Sequence, residues 1–171
     1  AETSRQLDGL KPDVIINLVA VTDVEACEKD PQKAYLGNVK TVENLAAWIG
    51  AAGTARRSHL IQISTDQVYD SPGDHLEDEV RLTNYYSFSK YCSELAVARV
   101  GGTILRTNFF GKSHVAGRKS LSDWVIESLQ AKREINLFED IFFSPLSIST
   151  LSRMIGRVVQ QPKAGVFNLG S

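Results

Sequence analysis

The chain has 171 residues, 43% of them apolar and 23% charged, with a formal net charge of −1. That is enough for one domain with a sizeable core, and too close to neutral for the electrostatic footprint of a nucleic-acid or anionic-membrane binder. No apolar run reaches membrane-spanning length and no signal peptide is visible, so the expectation is a cytoplasmic protein with neither a membrane nor a nucleic-acid partner.

In chain order, the run "DVIINLVA" at 13–20 is continuous rather than alternating, which predicts a strand buried on both faces of a parallel sheet. A helix is predicted over 31–53: Pro31 suits its first turn, Gly53 its stop, and Ala34, Val42, Leu45, Ala46 and Ile49 form an apolar stripe. "HLIQIST" at 59–65 predicts a second strand, and the acidic, turn-rich stretch 70–80 a surface loop. A helix carrying "YYSFSK" follows, then a strand at 102–108 and a second surface loop at 111–120. "INLF" at 135–138 predicts a further strand. A helix with Leu151, Met154, Ile155, Val158 and Val159 on one face then runs to Pro162, and a last strand covers 165–170. Strand and helix alternate, so the fold class is α/β with a parallel sheet flanked by helices.

Cys27 and Cys92 have no metal-ligand spacing and fall in helical stretches, which predicts buried reduced thiols. His59, His75 and His114 accompany no ligand pattern, so no metal is expected. The basic pairs Arg56-Arg57 and Arg118-Lys119 read as solvated charges.

In open parallel sheets ligands bind beyond the carboxyl ends of the strands. There the second strand ends in Ser64, Thr65 and Asp66, and one loop later Tyr86 and Lys90 are spaced to share a helix face. A phenol titrates near ~10; a neighbouring ammonium would lower that value and suit it to proton transfer at neutral pH. In this reading Lys90 lowers Tyr86 and holds a ribose diol. Thr65 orients a substrate carbonyl, and Tyr86 protonates its oxygen as hydride reaches the carbon. The Tyr-x-x-x-Lys spacing alone arises easily by chance; the order strand–Ser-Thr-Asp, acidic loop, Tyr-x-x-x-Lys helix, "LRTN" strand carries the argument.

These residues resemble the extended short-chain dehydrogenase/reductase superfamily, and within it the dTDP-4-dehydrorhamnose reductases and related nucleotide-sugar reductases. "ISTDQVYD", "YYSFSKYCSE" and "ILRTNFFG" resemble that family's catalytic stretches. The resemblance implies a Rossmann-like fold and NADP or NAD as cofactor. It also implies a nucleotide-sugar substrate whose keto group is reduced, and it allows a homodimer. It assigns Thr65, Tyr86 and Lys90 as catalytic. Ala20, Val21, Asn38 and Ser64, with Tyr86 and Lys90, line the cofactor, and Val24, Thr65, Gln67 and Phe109 contact the sugar. Leu18 and Val19 replace small residues of the family pattern, Gln67 a tyrosine, Phe109 a tryptophan and Ser87 a glycine. Residues 1–171 are then a partial NAD(P)-binding Rossmann-like domain, with 109–171 contributing to a substrate-binding region.

The family's glycine-rich turn, which lets backbone amides approach a pyrophosphate, has no counterpart in the sequence. The expectation is a chain lacking the N-terminal glycine-rich β-α-β unit of a longer protein, with the 13–20 strand left at an apolar sheet edge. Two alternatives stay open: a nucleotide-sugar epimerase, and a catalytically idle regulatory subunit of the same superfamily. A dehydratase is disfavoured because Gln67 stands where those enzymes carry a glutamate beside the aspartate, and an amide cannot serve as the acid.

Overall fold

The computed structural model describes residues 2–51, 58–115, 117 and 119–171. The predicted glycine stop at Gly53 and the basic residues Arg56, Arg57 and Arg118 lie outside them.

Four parallel strands form the sheet in the order β1-β2-β3-β6: β1 Val14–Asn17, β2 His59–Thr65, β3 Thr103–Thr107 and β6 Gly165–Leu169. Every residue of β3 is buried, and β2 is buried or half-buried throughout, as continuous apolar runs demand. β1 is shorter than its sequence run. Among the described residues it pairs only with β2, and the pairing ends at Asn17 opposite Gln62, where the two side chains share a 2.8 Å hydrogen bond. Leu18 and Val19 then leave the sheet and are largely exposed.

The helix predicted over 31–53 is one helical segment with an interruption. α3 (Pro31–Ala34) passes into a π-helical stretch, Tyr35–Lys40, and then into α4 (Thr41–Ala51). Its predicted stripe is buried: Val42, Leu45, Ala46 and Ile49 pack with Leu60, Ala96, Val97 and Ile104 in the main core. α1 (Glu2–Leu10), which the sequence pattern did not announce, lies on α4, where Trp48 Nε1 donates to Asp8 Oδ1 at 2.8 Å. α2 (Val24–Lys29) precedes α3, with Asp23 capping the first and Asp30 the second.

α5 (Tyr85–Arg99) crosses behind β2 and β3. The chain leaves it through Gly101, at φ +67, a left-handed conformation that glycine adopts freely. Gly102 follows, where a Cβ would sit 2.5 Å from both Leu60 O and Val97 Cγ1.

Beyond β3, β4 (Phe109–Phe110) and β5 (Leu146–Ser147) form a separate two-stranded parallel pair. α6 (Leu121–Gln130) opens with a reciprocal Ser120–Asp123 capping box, and α7 (Ile148–Gln160) buries Leu151 and half-buries the rest of its predicted stripe. The strand predicted at 135–138 is not formed. Among the described residues, 135–138 has no ladder partner, and Leu137 and Phe138 are 66% and 78% exposed. A short apolar run satisfies a strand pattern locally, but a strand exists only where a neighbour takes its backbone hydrogen bonds. Cys27 is fully buried as expected, whereas Cys92 is only half-buried.

Candidate active site

The start of α5 is fixed by its own polar residues. Asn84 Oδ1 accepts from Ser87 N at 2.8 Å, and Glu28 Oε1 of α2 accepts from Tyr85 N at 2.6 Å. Ser87, Ser89 and Ser93 turn their hydroxyls back onto the carbonyls of Asn84, Tyr86 and Lys90. Small, internally satisfied side chains thus let the helix press closely on the sheet. Ser87 is fully buried in this way.

Tyr86 and Lys90, both buried, reach the end of the same strand. The Tyr86 phenol interacts with the Thr65 hydroxyl, and Lys90 Nζ donates to Ile63 O at 2.7 Å. Thr65 Oγ1 also accepts from Gln67 N at 3.2 Å and donates to Asp66 Oδ1 at 3.4 Å. Asp66 is held in turn by Asn108 Nδ2, 3.1 Å from Oδ2. Thr65, Tyr86 and Lys90 are therefore brought together where the sheet strands run out.

The electrostatics correct one expectation. Tyr86 is not lowered: burial pushes the phenol up, the charges of Asp66 and Cys27 act in the same direction, and only the Thr65 hydrogen bond opposes them. Lys90 gives a hydrogen bond to a backbone carbonyl. Burial pulls it down to about 8, and the Glu94 charge holds it against a further fall. Burial likewise pushes the Asp66 carboxyl up, against its hydrogen bonds from Asn108 and Thr65.

Asn38 sits in the π-helical stretch and grips the loop after β1 from both sides. Its Oδ1 accepts from Val21 N at 2.7 Å, and its Nδ2 donates to Val21 O at 3.1 Å and to Ser89 Oγ at 2.8 Å. Gly37 permits this: a Cβ there would lie 2.7 Å from Val21 Cγ2. Val21 and Val24 pack on the cluster of Cys27, Ala34 and Tyr86, which puts them against the site. Ala20 is half-buried beside them, and Gln67 is exposed on the 3-10 turn after Thr65. Phe109 follows Asn108 and is half exposed in β4. Ser64 behaves differently. Its hydroxyl donates to Glu94 beneath the sheet end, so its side chain is committed to the interior.

Sequence reasoning missed Asn108 as the partner of Asp66, and it missed the buried Glu94–Arg106 pair. Arg106 gives Nε and Nη2 to Glu94, and Nη1 to Tyr69 Oη at 2.6 Å and Glu77 O at 2.7 Å. The one local signal was the spacing of Glu94, four residues after Lys90.

Over residues 1–171 the sequence matches the RmlD substrate binding domain. The chain belongs to that family. A dTDP-4-dehydrorhamnose reductase from Burkholderia thailandensis is 29% identical over 98% of this chain and 57% of its own length. Among solved structures, one from Clostridium acetobutylicum described as a dTDP-4-dehydrorhamnose reductase superposes with a TM-score of 0.84 at 27% identity, over 98% of this chain and 59% of its own. A dTDP-4-dehydrorhamnose reductase from Bacillus anthracis, solved in complex with NADP, gives 0.86 at 25% identity, over 99% and 60%. The chain thus spans less than two thirds of each of these relatives. The RmlD match and these superpositions agree with the Rossmann-like parallel sheet described above.

Proposed function

We propose that the complete protein reduces the keto group of a nucleotide-activated sugar, as its dTDP-4-dehydrorhamnose reductase relatives are named for doing. The observation that carries this reading is the meeting of Tyr86 with Thr65, and of Lys90 with Ile63, on one strand end in an RmlD-family chain.

The residues present fit the nicotinamide-ribose end of a dinucleotide. Leu18 and Val19 offer an exposed apolar surface after β1, Asn38 holds the Val21 backbone in place, and Lys90 has two ammonium hydrogens beyond the one given to Ile63. Ala20 and Ser64 would contribute through their backbone. The pyrophosphate end needs a glycine-rich turn that these 171 residues do not contain, so this chain is assigned only the reactive end. When bound, NADPH or NADH supplies the hydride.

Within the site, Thr65 donates to the substrate carbonyl oxygen and fixes its direction. Tyr86, kept as a neutral phenol by burial, gives that oxygen its proton. Lys90 stabilises the phenolate left behind and holds the ribose diol. Its charge is thus used after the proton leaves, and no prior lowering of Tyr86 is needed. Val24, Gln67 and Phe109 face the sugar in this reading, with residues 109–171 supplying part of its pocket; the Asn108–Asp66 contact supports this by tying the start of that region to the Gln67 turn. The replacements at Gln67 and Phe109 tune which sugar is accepted.

The test is stoichiometric. The complete protein, given dTDP-4-dehydrorhamnose, should consume one equivalent of NADPH or NADH per sugar reduced. Sugar isomerisation without net consumption would make it an epimerase, and no turnover with any keto-sugar nucleotide would make it an idle subunit.

A further inference from the structure

Lys90 is the group on which the proposed chemistry depends for positive charge, yet it is buried, and burial works against that charge. Two carboxyl groups bear on the Tyr86 and Lys90 pair. Asp66, on the 3-10 turn, acts on Tyr86, whereas Glu94 lies one helical turn after Lys90 and acts on Lys90 itself. The geometry of Glu94 is constrained on every side. Its Oε1 accepts from Ser64 Oγ, the residue next to Ile63, whose carbonyl takes the Lys90 ammonium. From the neighbouring strand, Arg106 clasps Oε1 through Nε at 3.1 Å and Oε2 through Nη2 at 2.6 Å. Arg106 is itself immobilised by Tyr69 Oη and Glu77 O, and its guanidinium lies 5.1 Å from the Tyr69 ring centroid. All three of Lys90, Glu94 and Arg106 are nearly inaccessible to solvent.

We propose that Glu94 is a positioning residue of the active site: anchored by Ser64 and Arg106, its carboxylate keeps Lys90 an ammonium and keeps it at the end of β2. This deepens the reductase reading and rests on it only for the use made of Lys90. An Arg–Glu pair standing alone would be a structural strut. Here the pair is rooted asymmetrically: Glu94 joins β2 and β3 through Ser64 and Arg106, and Lys90, one helical turn earlier on α5, donates to Ile63, the residue before Ser64. Other titratable groups on elements packed against α5 address other partners. Cys27 on α2 acts on Tyr86, Glu28 on α2 accepts from Tyr85 N, and Glu43 on α4 pairs with Lys40 and acts on Cys92.

The decisive readout is the titration of Lys90 itself, followed by NMR in protein carrying 13Cε-labelled lysine, with the resonance assigned by its loss in Lys90→Arg. In the unaltered protein the midpoint is expected at about 8. In Glu94→Gln it should fall by about one pH unit, a tenfold loss of ammonium at pH values above both midpoints. An unchanged midpoint overturns the proposal. Should Glu94→Gln fail to fold because Arg106 is left unpaired, the same titration is read in Glu94→Gln/Arg106→Gln, which removes both buried charges. A midpoint below that of Arg106→Gln, which keeps the carboxylate and lacks the guanidinium, supports the proposal, and one equal to or above it overturns it. In the complete protein, the alkaline limb of kcat/KM should move with the Lys90 midpoint. If the midpoint moves and the limb does not, the role given to Lys90 in the reaction fails while the coupling to Glu94 stands.

Discussion

The segment from β2 to β3 and the segment from β4 to β5 follow one another in the chain and obey opposite rules. In the first, polar side chains are taken inside and every one is used: Gln62, Ser64, Lys90, Glu94 and Arg106 are buried and bonded. Among the described residues no buried side-chain nitrogen or oxygen lacks a partner. In the second, apolar side chains are left outside; Phe142 is 91% exposed, and Leu137, Phe138 and Ile141 accompany it. The contrast separates two jobs. A proton-transferring centre needs groups held rigidly in a water-poor setting, where each hydrogen bond and charge is worth more. A change at the exposed Phe142 should therefore leave the proton-transferring groups untouched.

That contrast can be broken at several points. Arg106→Met should have the largest effect on stability, because it strands Glu94 as a buried unpaired carboxylate. A loss of about 3–5 kcal/mol by urea denaturation is expected, and a loss under 1 kcal/mol would mean the buried network is ornamental. A smaller, pH-dependent effect belongs to Lys90. Its folded value of about 8 lies below its ordinary value, so the unfolded chain holds a proton that the folded chain has released between about pH 8 and 10.5. Unfolding takes up a proton in that window, and the contribution of Lys90 to stability therefore rises with pH there, by at most about 1.4 kcal/mol per unit. Relative to Lys90→Met, the unaltered protein should gain stability between pH 8 and 10 and show a parallel profile below pH 7. Phe142→Ser should do least, shifting stability by no more than about 0.5 kcal/mol. A larger loss would show that the exposed segment contributes to the core after all.

How much of this could be read from the sequence follows the same division. Strands β2 and β3 and the Ala34–Ile49 stripe were legible, because their residues are buried by neighbours that any α/β sheet supplies, and β6 was legible as an apolar run although its residues are only half-buried or exposed. Thr65, Tyr86 and Lys90 were legible as an ordered pattern. The direction of the Tyr86 shift was not, since it depends on burial and on Asp66, Cys27 and Thr65, which no spacing reveals. The π-helical turn was hidden inside a helical pattern, and with it the double grip of Asn38 on Val21, a contact across 17 residues. "INLF" misled because hydrophobicity marks a candidate strand without supplying the partner. Among the described residues no helix is long and apolar enough to cross a membrane.

The central claim concerns a neutral phenol that gives up its proton to a sugar carbonyl, and Tyr86→Phe addresses it directly. The substitution removes one oxygen and leaves the ring packed against Cys27 and Ala34. Turnover of the complete protein should drop at least about 100-fold, while NADPH affinity, read by fluorescence titration, changes less than about threefold. Turnover within a factor of two of the unaltered protein would contradict the account.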